Sequence, residues 1–126
     1  MDGGATDHSG NIFGAGVNWT SSVSATFGSF SVPFSGTGHQ TVWVKYNSSG
    51  TALWAGGNDY GNAELYNISA DTSGNLIVFG YFNTDSMKIG SYVLHKTTTG
   101  TLSQYYLAKI SPSGSVLWAL NDGNSF

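Results

Sequence analysis

The sequence contains no cysteine and no arginine, and it carries little charge of either sign. Only 9% of its 126 residues are charged, against about 25% in an average soluble protein. Without cysteine there is no disulfide, no thiolate nucleophile and no zinc–thiolate site. The absence of arginine and a net charge of -3 argue against a nucleic-acid partner, because contacts with phosphate require cations.

Long apolar segments are also missing. The longest uninterrupted apolar run covers residues 76–79, whereas a membrane-spanning helix needs about 20 such residues, so no membrane insertion is expected. No apolar segment follows Met1, so no signal peptide is visible in this sequence. Glycine, serine, threonine and asparagine are abundant instead, but aromatic residues at 14% and hydrophobic residues at 40% indicate a packed core rather than a disordered chain.

An internal repeat is the strongest signal in the sequence. Residues 7–12 (DHSGNI) return as residues 71–76 (DTSGNL), and residues 50–55 (GTALWA) return as residues 114–119 (GSVLWA), both at an offset of 64. Residues 28–30 match residues 90–92 at an offset of 62, which places a difference of two residues in one loop. The repeat divides the chain into two units, residues 1–62 and residues 63–126.

Each unit is predicted to form two β-hairpins, because turn-forming residues separate short apolar runs and no helical periodicity is present. The predicted strands are residues 1–6, 12–17, 41–46 and 51–56 in the first unit and 65–70, 76–82, 105–110 and 115–120 in the second. Residues 27–34 and 88–95 are expected to add a strand or a packed loop. Two segments are predicted to form structural turns. In each, the aspartate side chain can accept a hydrogen bond from the backbone two residues later, and the glycine can adopt positive φ. Their residues are Asp7, Gly10, Asn11, Asp71, Gly74 and Asn75.

Four antiparallel strands repeated at this spacing predict two four-stranded blades of a β-propeller. The predicted strands are apolar at consecutive positions, which is typical of a sheet covered on both faces. The residues predicted to pack between blades are Trp43, Trp54, Leu107 and Trp118. Because two blades leave two outer faces bare, the chain is expected to belong to a larger propeller. Neighbouring blades of a longer chain, or copies of this chain in a ring of six or eight blades, would complete it.

The repeated pattern resembles a known family. Asp-x-x-Gly-Asn at residues 7–11 and 71–75, a later strand carrying Lys45 or Lys109, and Gly-x-x-Leu-Trp-Ala at residues 50–55 and 114–119 are similar to the bacterial β-propeller repeats known as SBBP repeats. The resemblance covers nearly the whole chain. It implies an extracellular or cell-surface protein with several blades, and it implies no catalytic residues.

Candidate chemistry in the sequence is sparse. No catalytic residue, no metal ligand and no cofactor is expected, because the histidines and carboxylates show no metal-ligand or triad spacing. The aromatic residues that differ between the two units are better candidates, since an exposed ring beside amides and carboxylates suits a neutral sugar. The predicted ligand-binding residues are Asn18, Trp19, Asp59 and Tyr60.

The function expected from the sequence is that of a non-enzymatic extracellular propeller module with a binding, structural or adhesive role at a cell surface. Its expected partners are itself or neighbouring blades, and a surface glycan. One alternative is a glycan-binding lectin that closes a propeller ring by homo-oligomerisation. A weaker alternative is a propeller-type hydrolase that uses Asp59 and Asp122, since glycoside hydrolysis needs two opposed carboxylates.

Overall fold

The computed structural model describes residues 3–19, 23–97, 99–100 and 102–121. These residues form an all-β structure of twelve strands and no helix. The strands are β1 (Gly3–Thr6), β2 (Ile12–Asn18), β3 (Ala25–Phe27), β4 (Phe30–Val32), β5 (Gln40–Tyr46), β6 (Ala52–Gly57), β7 (Ala63–Ala70), β8 (Leu76–Phe82), β9 (Ser86–Ile89), β10 (Tyr92–His95), β11 (Gln104–Ile110) and β12 (Val116–Asn121).

Eight of these strands form two open four-stranded antiparallel sheets. The N-terminal sheet has the order β1-β2-β5-β6, and the C-terminal sheet has the matching order β7-β8-β11-β12. The hairpins β3–β4 and β9–β10 are inserted between the second and third strands of the respective sheets. The eight predicted strands are confirmed to within two residues where they fall in the described part of the chain. The two additional segments each form a hairpin rather than one strand.

The two sheets are structural copies of one another. Strands β2, β5 and β6 recur 64 residues later as β8, β11 and β12, with the same bounds. Even the irregularity repeats, because the register shifts between Lys45 and Tyr46 in one sheet and between Lys109 and Ile110 in the other. Residues at equivalent positions can therefore be compared directly between the two sheets.

The core lies between the two sheets. The N-terminal sheet contributes what is called here its covering face, which includes the fully buried Phe13 and Trp43. The C-terminal sheet contributes its covered face, which includes the fully buried Val78, Ala108 and Ile110. Burial of this apolar surface stabilises the pairing by about 25 cal/mol per Å².

Burial alternates strictly along β8, in contrast to the expectation that both faces of each sheet are covered. Leu76, Val78 and Phe82 are fully buried, whereas Phe79 and Tyr81 are only half-buried. The reason is that the N-terminal sheet covers one face of the C-terminal sheet, while no described part of the chain forms a sheet over the other face. Consecutive apolar residues in β8 therefore place large side chains on an open surface.

Two hydroxyl groups are buried between the sheets, on Thr41 and Tyr106. Neither makes a hydrogen bond of good geometry to the described residues. Burial raises the pKa of Tyr106, and the neighbouring Thr41 hydroxyl opposes that rise. When a buried hydroxyl lacks a good partner, replacement of its residue by an apolar residue of the same shape leaves the stability of the fold nearly unchanged or raises it.

We therefore expect the double variant Thr41→Val/Tyr106→Phe to be at least as stable as the wild type, with a gain of up to about 1 kcal/mol. Urea unfolding followed by circular dichroism measures the difference. A loss of more than about 1 kcal/mol would show that the two hydroxyls form a stabilising pair.

Candidate functional site

Four five-residue turns lie together at one end of the two sheets. They are residues 7–11, 47–51, 71–75 and 111–115. In the turn of residues 7–11, Asp7 Oδ1 accepts hydrogen bonds from the backbone N–H of Ser9 and Asn11, both at 2.9 Å, and Oδ2 accepts one from Asn11 Nδ2 at 2.9 Å. Asp71 makes the same three hydrogen bonds in the turn of residues 71–75. Gly10 and Gly74 both have φ near 82°, a backbone conformation that glycine adopts without strain. The two carboxylates are thus held by their own turns.

These hydrogen bonds stabilise the ionised carboxylates. The side-chain bond from Asn11 lowers the pKa of Asp7 below its usual value, and the bond from Asn75 does the same for Asp71. A lysine in each sheet adds to the effect, with Lys45 Nζ 3.7 Å from Asp7 Oδ2 and its equivalent Lys109 3.5 Å from Asp71. A carboxylate whose pKa is lower in the folded than in the unfolded chain stabilises the fold above the unfolded pKa.

Stability should therefore fall as the pH drops below about 4, through the lowered pKa values of Asp7 and Asp71. The variant Asp7→Asn should fold, because Asn47 occupies the same position in the turn of residues 47–51 and accepts the equivalent backbone hydrogen bonds. It should be less stable at pH 7 and lose less stability between pH 5 and pH 2. Urea unfolding over this pH range tests the expectation, and an unchanged slope would contradict it.

The same end of the molecule carries the polar contacts between the two sheets. Lys45 Nζ and Trp54 Nε1, both on the covering face, donate hydrogen bonds to the backbone carbonyl of Pro112, at 3.0 and 2.9 Å. Gly114 leaves room for the indole, since a Cβ at that position would lie 3.0 Å from the Trp54 ring. Trp54 also packs on Phe13, with 6.0 Å between the ring centroids. These contacts fix the N-terminal sheet on a turn of the C-terminal sheet.

The four packing residues predicted from the sequence divide between a covered and an open surface. Trp43 is buried between the sheets and Trp54 lies at the edge of that interface. Their repeat equivalents, Leu107 and Trp118, lie on the opposite side of the C-terminal sheet and are half-buried. Only one of the two equivalent surfaces is therefore used inside the chain.

The open surface of the C-terminal sheet is rich in aromatic side chains, and is called here the aromatic face. Phe79 stacks on Tyr105 with 5.4 Å between ring centroids and an angle of 10° between the rings. Tyr66 contacts the edge of this pair at 5.6 Å from Phe79. Tyr66 and Tyr105 are 51% and 47% exposed. Soluble proteins that leave such a patch bare commonly use it for binding. The other members of the face are Ile77, Tyr81, Leu107, Lys109, Trp118 and Leu120.

An open cleft of about 570 Å³ lies where the linker between the sheets passes the β9–β10 hairpin. Asp59 Oδ2 lies 3.7 Å from Lys88 Nζ, and both side chains are nearly half exposed. The linker backbone pairs with β9, since Asp59 N–H donates to the Lys88 carbonyl and Lys88 N–H donates to the Tyr60 carbonyl. The cleft therefore combines an ion pair with apolar walls. Its lining residues are Pro33, Phe34, Ser35, Asp59, Tyr60 and Lys88.

The structure separates the four predicted ligand-binding residues into two pairs. Asp59 and Tyr60 line the cleft, but Asn18 and Trp19 do not. Trp19 is 63% exposed, and the centroid of its ring lies 4.2 Å from the centroid of the His39 ring. Asn18 Nδ2 donates a hydrogen bond to the backbone carbonyl of Val23 at 2.9 Å. Asn18 and Trp19 therefore belong to a different part of the surface from the cleft.

Two polar features of the structure had no counterpart in the sequence reasoning. His39 Nδ1 lies 2.8 Å from Glu64 Oε1 beneath Trp19, and the pKa of Tyr81 is raised by its burial and by the nearby Glu64 charge. Asn58 is fully buried, accepts a hydrogen bond from Thr41 N–H and donates to carbonyls of its own linker. The first feature places the polar side chains of His39 and Tyr81 around the Glu64 carboxylate, and the second fixes the linker that forms the cleft.

Metal and membrane sites are not indicated within the described ranges. No three histidine, aspartate or glutamate side chains there converge as a metal site requires. The described residues also contain no helix that is long and apolar enough to cross a membrane. Asp122, the second carboxylate of the hydrolase hypothesis, lies outside the described residues.

Comparison with known proteins gives no match, neither to a protein-family model nor to the sequence of a curated protein.

Proposed function

We propose that this chain is a non-enzymatic module of a β-propeller, formed by two SBBP-like repeats that act as blades in an extracellular or cell-surface protein. Its role in this proposal is structural or adhesive. The first unit, residues 1–62, is one blade and the second, residues 63–126, is the next. The low charge, the polar, uncharged composition and the family resemblance support the extracellular setting.

The observation that carries the proposal is the way in which the two equivalent sheets pack. The covering face of one sheet lies on the covered face of the next, so that unlike faces meet. Strands β1 and β7, which are first in their units, lie next to each other across the junction. Packing of this kind can be continued in both directions, as it is between the blades of a propeller. A pair of sheets that met through like faces would not define how a third sheet packs.

A chain in which two copies of the sequence are joined head to tail tests this proposal. From Trp54 to Asp71 there are 17 residues, and from Trp118 through the C-terminus to Asp7 of a following copy there are 15, so a two-residue junction restores the repeat spacing. If the sheets are propeller blades, the joined chain gains a new inter-sheet interface. At a protein concentration low enough to keep single copies apart, it should unfold in one transition at a higher urea concentration than the single copy. An unchanged midpoint would contradict the proposal.

Glycan binding is a second candidate function, favoured by the cleft at Asp59, Tyr60 and Lys88. An aromatic side chain beside a carboxylate and an ammonium group can hold a neutral or acidic sugar by ring contact and hydrogen bonds. If a glycan binds there, Tyr60→Ala should weaken its affinity by about tenfold or more. Trp19→Ala is the matched control, because Trp19 is exposed but lies outside the cleft. Isothermal titration with a hit from a glycan array measures both, and equal losses would contradict a site in the cleft.

A further inference from the structure

Two open surfaces of the chain are equivalent to two surfaces that already contact each other within it. The aromatic face of the C-terminal sheet is equivalent to the covering face of the N-terminal sheet. The other side of the N-terminal sheet is equivalent to the covered face, and is called here the glycine face. Its central residues are Gly4, Gly14 and Gly16, which are exposed or partly exposed, and Val42 and Val44, which are already buried within the chain. The contact inside the chain therefore specifies how an aromatic face would lie on a glycine face.

The polar anchors of the internal contact are present again on the open surfaces. Trp54 and Lys45 donate to the Pro112 carbonyl inside the chain, and their equivalents 64 residues later are Trp118 and Lys109. The position equivalent to Pro112 is Ser48, which is exposed. A second glycine face would thus offer the Ser48 carbonyl to Trp118 and Lys109.

The glycines beside these anchors show which contact is made and which is open. A Cβ at Gly114 would lie 3.0 Å from the Trp54 ring, whereas a Cβ at the equivalent Gly50 would meet no atom within 4 Å. Both glycines have positive φ, at 96° and 83°. The surface at Gly50 is therefore open, whereas the equivalent surface at Gly114 is covered by the Trp54 indole.

The two equivalent ion pairs differ in exposure to solvent, and the pair at the internal interface is the more buried one. The side chains of Lys45 and Asp7, at the internal interface, are 8% and 6% exposed. Those of Lys109 and Asp71, on the aromatic face, are 29% and 33% exposed. The second pair has the same geometry but lacks the sheet that covers the first.

The two open surfaces are also complementary in shape. On the aromatic face, Phe79 replaces Ala15 and Tyr105 replaces Thr41, so side-chain bulk has been added. On the glycine face, Gly14 stands where the covered face has Val78, so bulk has been removed. The result is a groove of about 350 Å³, lined by Gly14, Ala15, Gly16, Val17, Phe27, Val42, Val44 and Tyr46. Protruding rings opposite a groove allow the close packing that stable interfaces show.

We infer that the aromatic face binds the glycine face of a second copy of this chain, with Trp118 placed on the Gly50 turn. The contact is head to tail, so each copy uses both surfaces and the assembly can close into a ring. A ring of four to eight blades contains two to four copies. The inference rests on the proposed function, because it assumes that sheets of this chain continue to pack as blades.

Cysteine cross-linking tests the inference directly, because the chain has no cysteine of its own. A Cβ at Gly3 would lie 3.2 Å from the Ile68 side chain inside the chain. The equivalent contact between copies joins Asn67 of one copy to Gly4 of the other. Within a single chain these two positions point to opposite sides of the packed sheets, so they cannot form a disulfide.

Equal amounts of an Asn67→Cys chain and a Gly4→Cys chain are mixed under mild oxidation. We expect mixed disulfide dimers to form at least about tenfold faster than dimers of either variant alone, since bound partners react at a high effective concentration. The Gly3→Cys/Ile68→Cys chain is the positive control and should close its disulfide within one chain.

Two further substitutions show whether the predicted surfaces carry the contact. Trp118→Ala in the Asn67→Cys chain, or Gly50→Asn in the Gly4→Cys chain, should remove the rate advantage. Asparagine is chosen because it tolerates positive φ better than most other non-glycine residues, and a Cβ at Gly50 meets no atom within 4 Å in the chain. Far-ultraviolet circular dichroism confirms that each variant is folded.

The inference is overturned if the mixed disulfide forms no faster than the single-variant dimers, or if both substitutions leave its rate unchanged. If the partner of the aromatic face is a glycan or another protein instead of a second copy, the first of these outcomes is expected. Failure here is distinct from failure of the proposed function. If the head-to-tail joined chain is stabilised but separate chains do not cross-link, the sheets are blades whose neighbours belong to the same polypeptide. If neither occurs, the blade proposal also fails.

Discussion

Gly80→Ala is expected to prevent folding. Gly80 is buried in β8, and a Cβ at this position would collide with the backbone carbonyl oxygen of Glu64 and lie 2.9 Å from the Tyr106 ring. The carbonyl belongs to the neighbouring strand β7 and cannot move without loss of the sheet. Tyr106 is fully buried between the two sheets. The expected cost is more than about 4 kcal/mol, a large part of the stability of a small domain.

Gly14→Ala is the matched control for this prediction. Gly14 lies in β2, and an added Cβ would lie 3.6 Å from a Val44 methyl carbon, which is an ordinary contact. The equivalent position in the second unit is Val78, so the strand accepts a side chain there. Gly14→Ala should change stability by less than about 1 kcal/mol. Circular dichroism and urea unfolding measure both variants, and a folded Gly80→Ala chain of wild-type stability would contradict the packing described here.

Trp43→Ala is expected to destabilise the chain far more than alanine at the equivalent Leu107. Trp43 is 2% exposed in the core between the sheets, and removal of a buried tryptophan costs about 3–5 kcal/mol. Leu107 is half-buried on the aromatic face of a single chain, so its loss should cost less than about 1.5 kcal/mol. The difference arises because only one of two equivalent faces is covered.

The comparison requires dilute protein, so that association of copies does not add to the cost of Leu107→Ala. Urea unfolding is measured at two protein concentrations to check that the midpoint does not change. Equal costs for the two substitutions would mean that both faces are covered in one chain, or that neither is, and would contradict the asymmetric core.

The sheets and their turns could be predicted because their signals are local or repeated. Asp7 and Asp71 bond their own turns within four residues, and the matching Gly-x-x-Leu-Trp-Ala segments place the last strand of each unit. The hairpins β3–β4 and β9–β10 could not be resolved in the same way. Their strands are only three or four residues long, too short to display an alternating pattern.

The candidate site was less accessible to sequence reasoning, because its geometry depends on contacts between units. Residue type predicts Asn18 and Trp19 as ligand-binding residues together with Asp59 and Tyr60, but nothing in the sequence shows that the linker runs along β9 and separates the pairs. His39 and Glu64 are 25 residues apart and belong to different units, so no local sequence pattern indicates that they pair. The one available signal was that His39 differs from its repeat equivalent, Ser103.

The apolar character of both faces of β8 was seen in the sequence, but its meaning needed the structure. Consecutive apolar residues predict a strand covered on both sides, and the single chain covers only one. The mismatch agrees with the inference that the partner of the aromatic face lies outside one chain. If copies pack as inferred, the sequence pattern of β8 reflects the covered strand of the assembly rather than the half-covered strand of one copy.

The solution mass of the chain, measured by light scattering over a concentration series, tests the central claim most directly. Unlike faces that pack between copies predict a closed assembly of two to four chains, each of 13.2 kDa. The mass should stay constant over the upper part of the series and fall to that of one chain in Trp118→Ala. A mass of 13.2 kDa at every concentration, or an assembly that Trp118→Ala leaves intact, would contradict the claim.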